Sequence, residues 1–240
     1  MSNIKSLDAL NKYISGNTGK NLLINGDFSA EAVINQRGFD GNWAGATEGV
    51  YGFDRWKKSG TDIIQIVEAG GYKPSSVHTL SGIGIISSQI TSPSSGNWAI
   101  TVVNTATNVQ LELGDTATDF EVVNPADQLA RCQRYYQRIG GSTHTPFGWG
   151  VGLSTVLATL YIPLPVELRT IAGDAPISGA ITAVSGSPPV TITSGAYKPG
   201  ESSTSLICIH MSAADFVLNQ LYTYRANNDV NAYVEIDAEI

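Results

Sequence analysis

Charge is scarce in this chain: Asp, Glu, Lys and Arg together make up 15% of its 240 residues, against roughly a quarter in an average soluble protein. Cation is scarcer still. Fourteen Lys and Arg face 21 Asp and Glu, for a formal net charge of −7, so the excess of basic side chains that neutralises phosphates across a nucleic-acid footprint is missing. The same shortage argues against an anionic lipid surface as partner. No run of about 18 or more apolar residues occurs; the most hydrophobic stretch, 151–168, is broken by Ser, Thr and two prolines. Membrane insertion is not expected.

Only two cysteines are present, Cys132 and Cys208, too few and too far apart for a disulfide framework and outside any CxxC pattern. Both read as reduced, buried thiols made in a cytosol. The first residues show neither a basic leader nor an apolar core before a small-residue cleavage point, so no secretory signal is expected. Three histidines, His78, His144 and His210, fall in no metal-binding spacing. The chain also lacks a G-x-S-x-G elbow, a P-loop and a dinucleotide fingerprint. No catalytic residue, metal or cofactor is therefore assigned. Paired acids of the glycosidase kind need only converge in space, with Asp174, Asp215 and Asp229 as the C-terminal candidates. Long-groove polysaccharide-cleaving enzymes are built on repeats, and no repeat is found.

What fills the chain is Ser, Thr, Asn and Gly around short β-branched segments. Residues 63–68, 82–90, 98–103 and 109–113 read as strands separated by Gly, Pro, Ser or Asn. The run 83–86 is apolar enough to be buried on both faces. In Val109-Gln-Leu-Glu-Leu-Gly114, alternation predicts a solvated face bearing Gln110 and Glu112 and a buried face bearing Leu111 and Leu113. After residue 140, strands are expected at 148–153, 157–163, 179–184, 190–192, 206–211 and 232–240; the last alternates cleanly, as a half-buried antiparallel strand does. Ser212 and Asp215 suit the start of a short helical turn.

Two helices are predicted. Leu7, Leu10 and Ile14 recur at helical spacing ahead of Gly16, which marks a short amphipathic segment that needs a packing partner. The clearer helix runs from Asn124 to Ile139: Asn124 suits the cap, Pro125 the first turn, Asp127 the positive end, Arg134 and Arg138 the negative end, and Gly140 the stop. Leu129, Cys132, Tyr136 and Ile139 would share its buried face, which makes Cys132 a core residue rather than a nucleophile.

Several motifs, in this order, carry a resemblance: Asn21-Leu-Leu-Ile-Asn-Gly-Asp-Phe28, Asn35-Gln-Arg-Gly38, Tyr51-Gly-Phe-Asp-Arg-Trp56, Val109-Gln-Leu-Glu-Leu-Gly114, Ala117-Thr-Asp-Phe-Glu121 and Leu129-Ala-Arg-Cys-Gln-Arg-Tyr-Tyr136. Together they resemble a family of tailed-bacteriophage tail fibre and receptor-binding proteins, and Leu164-Pro-Val-Glu-Leu-Arg169 fits an element of the same family. The resemblance implies a jelly roll between Trp56 and Gln110, abbreviated here, and a variable C-terminal β-domain. It also implies a virion-borne, trimeric, non-enzymatic attachment protein, made in the bacterial host cytoplasm. The N-terminal part would meet other tail proteins and the C-terminal part a host surface glycan. A purely structural virion role is the alternative. Read from the residues alone, Asp54 beside Arg55 and Trp56 is a polar lock on a strand end.

The expected architecture is all-β: two antiparallel, jelly-roll-like β-sandwich domains joined by one helix. The boundaries are an N-terminal anchoring segment (1–20), an abbreviated sandwich (21–123), the connecting helix (124–140) and a C-terminal sandwich (141–240). Sugar recognition needs aromatic rings for C–H faces and polar groups for hydroxyls. Trp149 in Phe147-Gly-Trp-Gly150, Tyr197 in a Gly- and Pro-flanked loop, and a hairpin tip at Asn227, Asn228 and Asp229 beside Tyr222 and Tyr224 are the receptor-binding candidates; each aromatic suits the core or a subunit interface equally well.

Overall fold

The computed structural model describes residues 21–186 and 188–240; the predicted helix at residues 6–14 lies outside them. Among the described residues the fold is antiparallel β with one α-helix, and the chain divides into two compact units, one ending at Leu129 and the other spanning Ala130–Ile240. Among the described residues no helix is long and apolar enough to cross a membrane.

In the first unit, β1 (Lys57–Ser59), β2 (Asp62–Val67) and β5 (Trp98–Val103) form one sheet, and β3 (Val77–Ile83), β4 (Ser88–Thr91) and β6 (Thr107–Leu113) another, each in the order β1-β2-β5 and β4-β3-β6. Ile63, Val67, Ile100 and Val102 from the first sheet pack with Leu80, Val109 and Leu111 from the second around Trp56, closing a small sandwich. The predicted strand at 82–90 is broken in the middle: its ends belong to β3 and β4, and residues 84–87 are the turn of the hairpin between them. Ile83 and Ile86 are exposed rather than buried on both faces, because Gly84, at φ 81°, reverses the chain between them.

The motif residues of this unit are tied to one another. The Asn21 side chain donates to the Val109 carbonyl (2.9 Å) and accepts from the amides of Leu23 and Leu111. Gln110 and Glu112 are buried, contrary to the alternation reading, and Leu113 is exposed. The segment after β6 folds back over the polar face: Gln110 Oε1 accepts from the Glu121 amide (2.8 Å), Glu112 accepts from the Thr118 amide (3.0 Å) and hydroxyl, and Glu121 accepts from the Asn21 amide (2.8 Å). Asp54 is a buried lock, as expected: its carboxylate accepts from Gln36 Nε2 (2.7 Å) and its carbonyl from Asn25 Nδ2. Trp56 Nε1 donates to the carbonyls of Ile24 and Asn25. Separate sequence motifs thus make one hydrogen-bonded frame.

Helix α1 (Pro125–Gln133) is capped by Asn124, whose Oδ1 accepts from the Ala126 amide. It is shorter than the 124–139 helix predicted. Cys132 is buried as expected, but Tyr136 and Ile139 are not on its face; they belong to β7 (Tyr136–Gly140), paired with β16 (Tyr233–Asp237). Strand pairing beyond the last turn overrides the helical spacing, since the Tyr-Tyr pair favours a pleated surface and the Tyr136 hydroxyl donates to Glu235 (2.6 Å).

In the second unit, β10 (Ile177–Ser178), β16 and β7 form a small sheet in that order. A seven-stranded sheet comprises β8 (Pro146–Val151), β9 (Leu157–Pro163), β11 (Ile181–Val184), β12 (Val190–Thr191), β13 (Ser194–Tyr197), β14 (Leu206–Ser212) and β15 (Leu221–Ala226), in the order β12-β11-β15-β8-β9-β14-β13. Val234 and Ile236 of the small sheet pack with Leu160, Ile162, Ile207, Ile209, Tyr224 and Phe216 of the other layer. Residues 212–216 form no helix; Asp215 sits at φ 68° in a turn. The 164–169 element is fastened to β7 and to the residue just after α1: Gln137 Nε2 donates to the Val166 carbonyl (2.6 Å) and the Arg169 amide to the Arg134 carbonyl (2.9 Å).

Candidate functional site

The seven-stranded sheet has one face in the core and one turned outward. Strict alternation along β8 would put Phe147 and Trp149 on the same side. A register shift opposite Tyr224 and Arg225 separates them, so Phe147 enters the core while Trp149 stands 54% exposed. Glycines on both sides allow this. A Cβ on Gly148 would lie 1.9 Å from the Tyr161 carbonyl oxygen, and one on Gly150 1.8 Å from that of Thr159; β8 therefore runs closer to β9 than any other residue permits.

Trp149 is paired in register with Tyr161 of β9 and Thr223 of β15, and Tyr161 with Cys208 of β14. Side chains directly opposite one another share a face, so Thr223, Trp149, Tyr161 and Cys208 form a row on the outer side of the sheet, with Cys208 itself covered. The Trp149 and Tyr161 rings are tilted 48° at a centroid distance of 5.2 Å. A second row holds Thr159 opposite His210, with Thr159 Oγ1 accepting from the Val151 amide (3.0 Å). The exposed Leu221, opposite Val151, borders the tryptophan.

Beyond Tyr197 the chain makes a 3-10 turn, Pro199–Glu201, which folds back onto β14. The Lys198 amide donates to the Cys208 carbonyl, the Cys208 amide to Ser202 Oγ, and Ser202 Oγ to the Lys198 carbonyl. This brings Glu201 over Cys208 and His210: Oε2 accepts from Cys208 Sγ at 3.5 Å and lies 3.2 Å from His210 Nε2. The hydrogen bond from His210 holds the Glu201 carboxyl below its ordinary range. Burial, reinforced by the Glu201 hydrogen bond, pushes the Cys208 thiol up to about 11; a thiol so placed stays protonated near neutrality and is not an activated nucleophile. The Tyr161 hydroxyl is also raised, by burial and then by Cys208.

The other predicted receptor contacts do not join this face. Tyr222 and Tyr224 are buried in the core, because they flank Thr223 on the opposite side of β15; Tyr222 Oη accepts from the Val217 amide (2.9 Å). Tyr197 is half-buried and donates to the Ala172 carbonyl (3.0 Å). Asn227, Asn228 and Asp229 are no hairpin tip, since β15 and β16 belong to different sheets. They form a turn fastened to residue 180: the Asn227 amide donates to the Ala180 carbonyl, and Asp229 accepts from the amides of Ala180 and Asn231 (both 2.8 Å). Those bonds hold the Asp229 carboxyl below its ordinary range. Asp174 forms a β-bridge opposite Asp237, while Asp215 and Asp229 lie in separate loops, so the three candidate acids share no strand or turn.

Tyr161, Glu201, Cys208 and His210 were missed by motif spacing. Alternation along 157–163 and 206–212 carries a signal for three of them, since it sets Tyr161, Cys208 and His210 opposite the aliphatic residues. Clefts elsewhere are modest. One of about 530 Å³ lies between Ser185, Gly186 and residues 188–191 on one side and Ala214, Asp215 and Val217 on the other, with Tyr222 in its lining, and one of about 120 Å³ in the first unit is below the ~300–1,000 Å³ of small-molecule sites. No known family, curated protein or solved structure matches the chain.

Proposed function

We propose that this chain is a virion-associated attachment protein of the tailed-bacteriophage tail fibre and receptor-binding class, which binds host surface glycan without catalysis through the outer face around Trp149. The observation that carries the reading is the exposed indole, packed at a tilt against Tyr161 in the middle of an open sheet. A large aromatic held outward by two indispensable glycines is poorly explained by packing within its own unit. A ring of this kind covers the apolar C–H face of a sugar, while the exposed Thr223 and Glu201 supply polar groups for hydroxyls. Affinity per shallow site is low, and a homotrimer would raise it by presenting linked copies. The motifs up to residue 121 behind the family resemblance support the same reading indirectly: they are distant in sequence yet make one frame in the first unit, as the shared scaffold of a family would.

The exposed Leu221 beside Trp149 favours a second reading, in which this face meets another virion protein and the role is structural. An array of bacterial surface polysaccharides separates the two, probed with the full-length wild type and with Trp149→Ala. The glycan reading expects saturable binding that Trp149→Ala weakens at least tenfold with little change in melting temperature. Wild-type protein that binds no glycan, but whose oligomer dissociates on Trp149→Ala, would replace it with the structural one.

A further inference from the structure

We propose that Glu201, Cys208 and His210 form a binding site for one divalent transition metal ion, with zinc the best match, on the outer face of the second unit. The site does not depend on the glycan reading. One ligand atom from each residue lies within 4.8 Å of the others. Two of the separations already match a coordination sphere: bonds of about 2.3 Å to sulfur and 2.0–2.1 Å to nitrogen or oxygen, set tetrahedrally, put sulfur and oxygen about 3.5 Å apart and nitrogen and oxygen about 3.3 Å apart. The observed distances are 3.5 Å from Cys208 Sγ to Glu201 Oε2 and 3.2 Å from His210 Nε2 to the same oxygen.

Thiolate, imidazole and carboxylate make a mixed donor set that suits zinc rather than magnesium or calcium, which take oxygen ligands. Three protein ligands leave a fourth position for water or an external group, the pattern of open zinc sites. The support around the ligands is built for rigidity. Cys208 and His210 sit two residues apart on one strand and point the same way, and the ring of hydrogen bonds among Lys198, Ser202 and Cys208 holds the turn that carries Glu201. Such outer partners orient metal ligands. The thiol, on the outward face of β14, is directed at a polar group rather than at the aliphatic core. Metal binding would displace the Cys208 proton to solvent and form a metal–sulfur bond in its place.

The test uses the full chain, stripped of metal with chelator, and Co²⁺ alone as the first probe. One Co²⁺ per chain should bind with a near-ultraviolet thiolate-to-cobalt charge-transfer band, which added Zn²⁺ abolishes. Cys208→Ser should remove the band and Cys132→Ser should leave it intact. Glu201→Gln and His210→Gln, changes at exposed or part-exposed side chains that leave the core untouched, should weaken binding by more than the roughly 10–100-fold typical of losing an outer partner, and Ser202→Ala by about that amount. A wild-type protein without the band, a band that survives Cys208→Ser, or Co²⁺ binding unaffected by Glu201→Gln would overturn the proposal.

Discussion

Replacing Gly150 by Ala tests the geometry that turns Trp149 outward. The new Cβ would stand 1.8 Å from the Thr159 carbonyl oxygen, about 1.2 Å inside the 3.0 Å limit below which real Cβ atoms essentially never approach a neighbour. That oxygen belongs to β9, whose residues Leu157–Pro163 are all paired with β14, so the backbone it meets cannot yield alone. β8 must retreat, stretching the bond from the Val151 amide to Thr159 Oγ1 and parting the Trp149 and Tyr161 rings. Overpacking of this kind costs about 1–3 kcal/mol and the lost hydrogen bond about 0.5–1.5 kcal/mol, so Gly150→Ala should be destabilised by roughly 2–4 kcal/mol. Equilibrium urea denaturation measures this, with an unchanged slope as the check that only stability has moved. Gly173→Ala is the control: nothing lies within 4 Å of its added Cβ, and a change within about 0.5 kcal/mol is expected for a substitution that meets no neighbour. If Gly150→Ala were equally silent, the close approach of β8 to β9 would be wrong, and with it the account of why Trp149 faces solvent.

Gln110→Ala tests the buried polar frame of the first unit. Its loss leaves the Glu121 amide without its acceptor, which should cost about 1–3 kcal/mol, whereas a solvated strand residue would change stability by less than about 0.5 kcal/mol; thermal and urea melts decide between them. Asp229→Asn tests the 227–229 turn through pH. The amides of Ala180 and Asn231 lower the folded carboxyl's pKa, so its contribution is present above the unfolded value of about 3.9 and is lost as pH falls through the folded value. The difference in melting temperature between wild type and Asp229→Asn should therefore be greatest near neutrality and shrink below about pH 4; a difference that stays constant down to pH 2 would remove the carboxylate from the turn.

Strand content was legible in the sequence wherever one face of a sheet is buried against one neighbour. The segments 98–103 and 157–163 match β5 and β9 residue for residue, since short β-branched runs between turn residues are a local property. Asn124 capping a helix and Asp54 locking a strand end are local in the same sense. The length of α1 was not: helical spacing through Tyr136 and Ile139 is real, but pairing with β16, about a hundred residues away, claims those positions. Gln110 and Glu112 read as solvated because alternation records only that two faces differ, and a polar face is buried when a later segment brings amides to it. Tyr222 and Tyr224 carry no mark to distinguish core from surface, and the side on which each lies follows from the pairing of β15 with β8. The outward turn of Trp149 required a bulge that no residue type announces, although its flanking glycines are the trace of it. Glu201, Cys208 and His210 meet only because a turn folds back on β14. The sequence by itself determined an antiparallel β protein with a helix capped by Asn124 and a net negative charge; the tertiary structure decided which polar groups are buried and which side chains share the outer face, because both depend on strand register and on contacts between residues far apart in the chain.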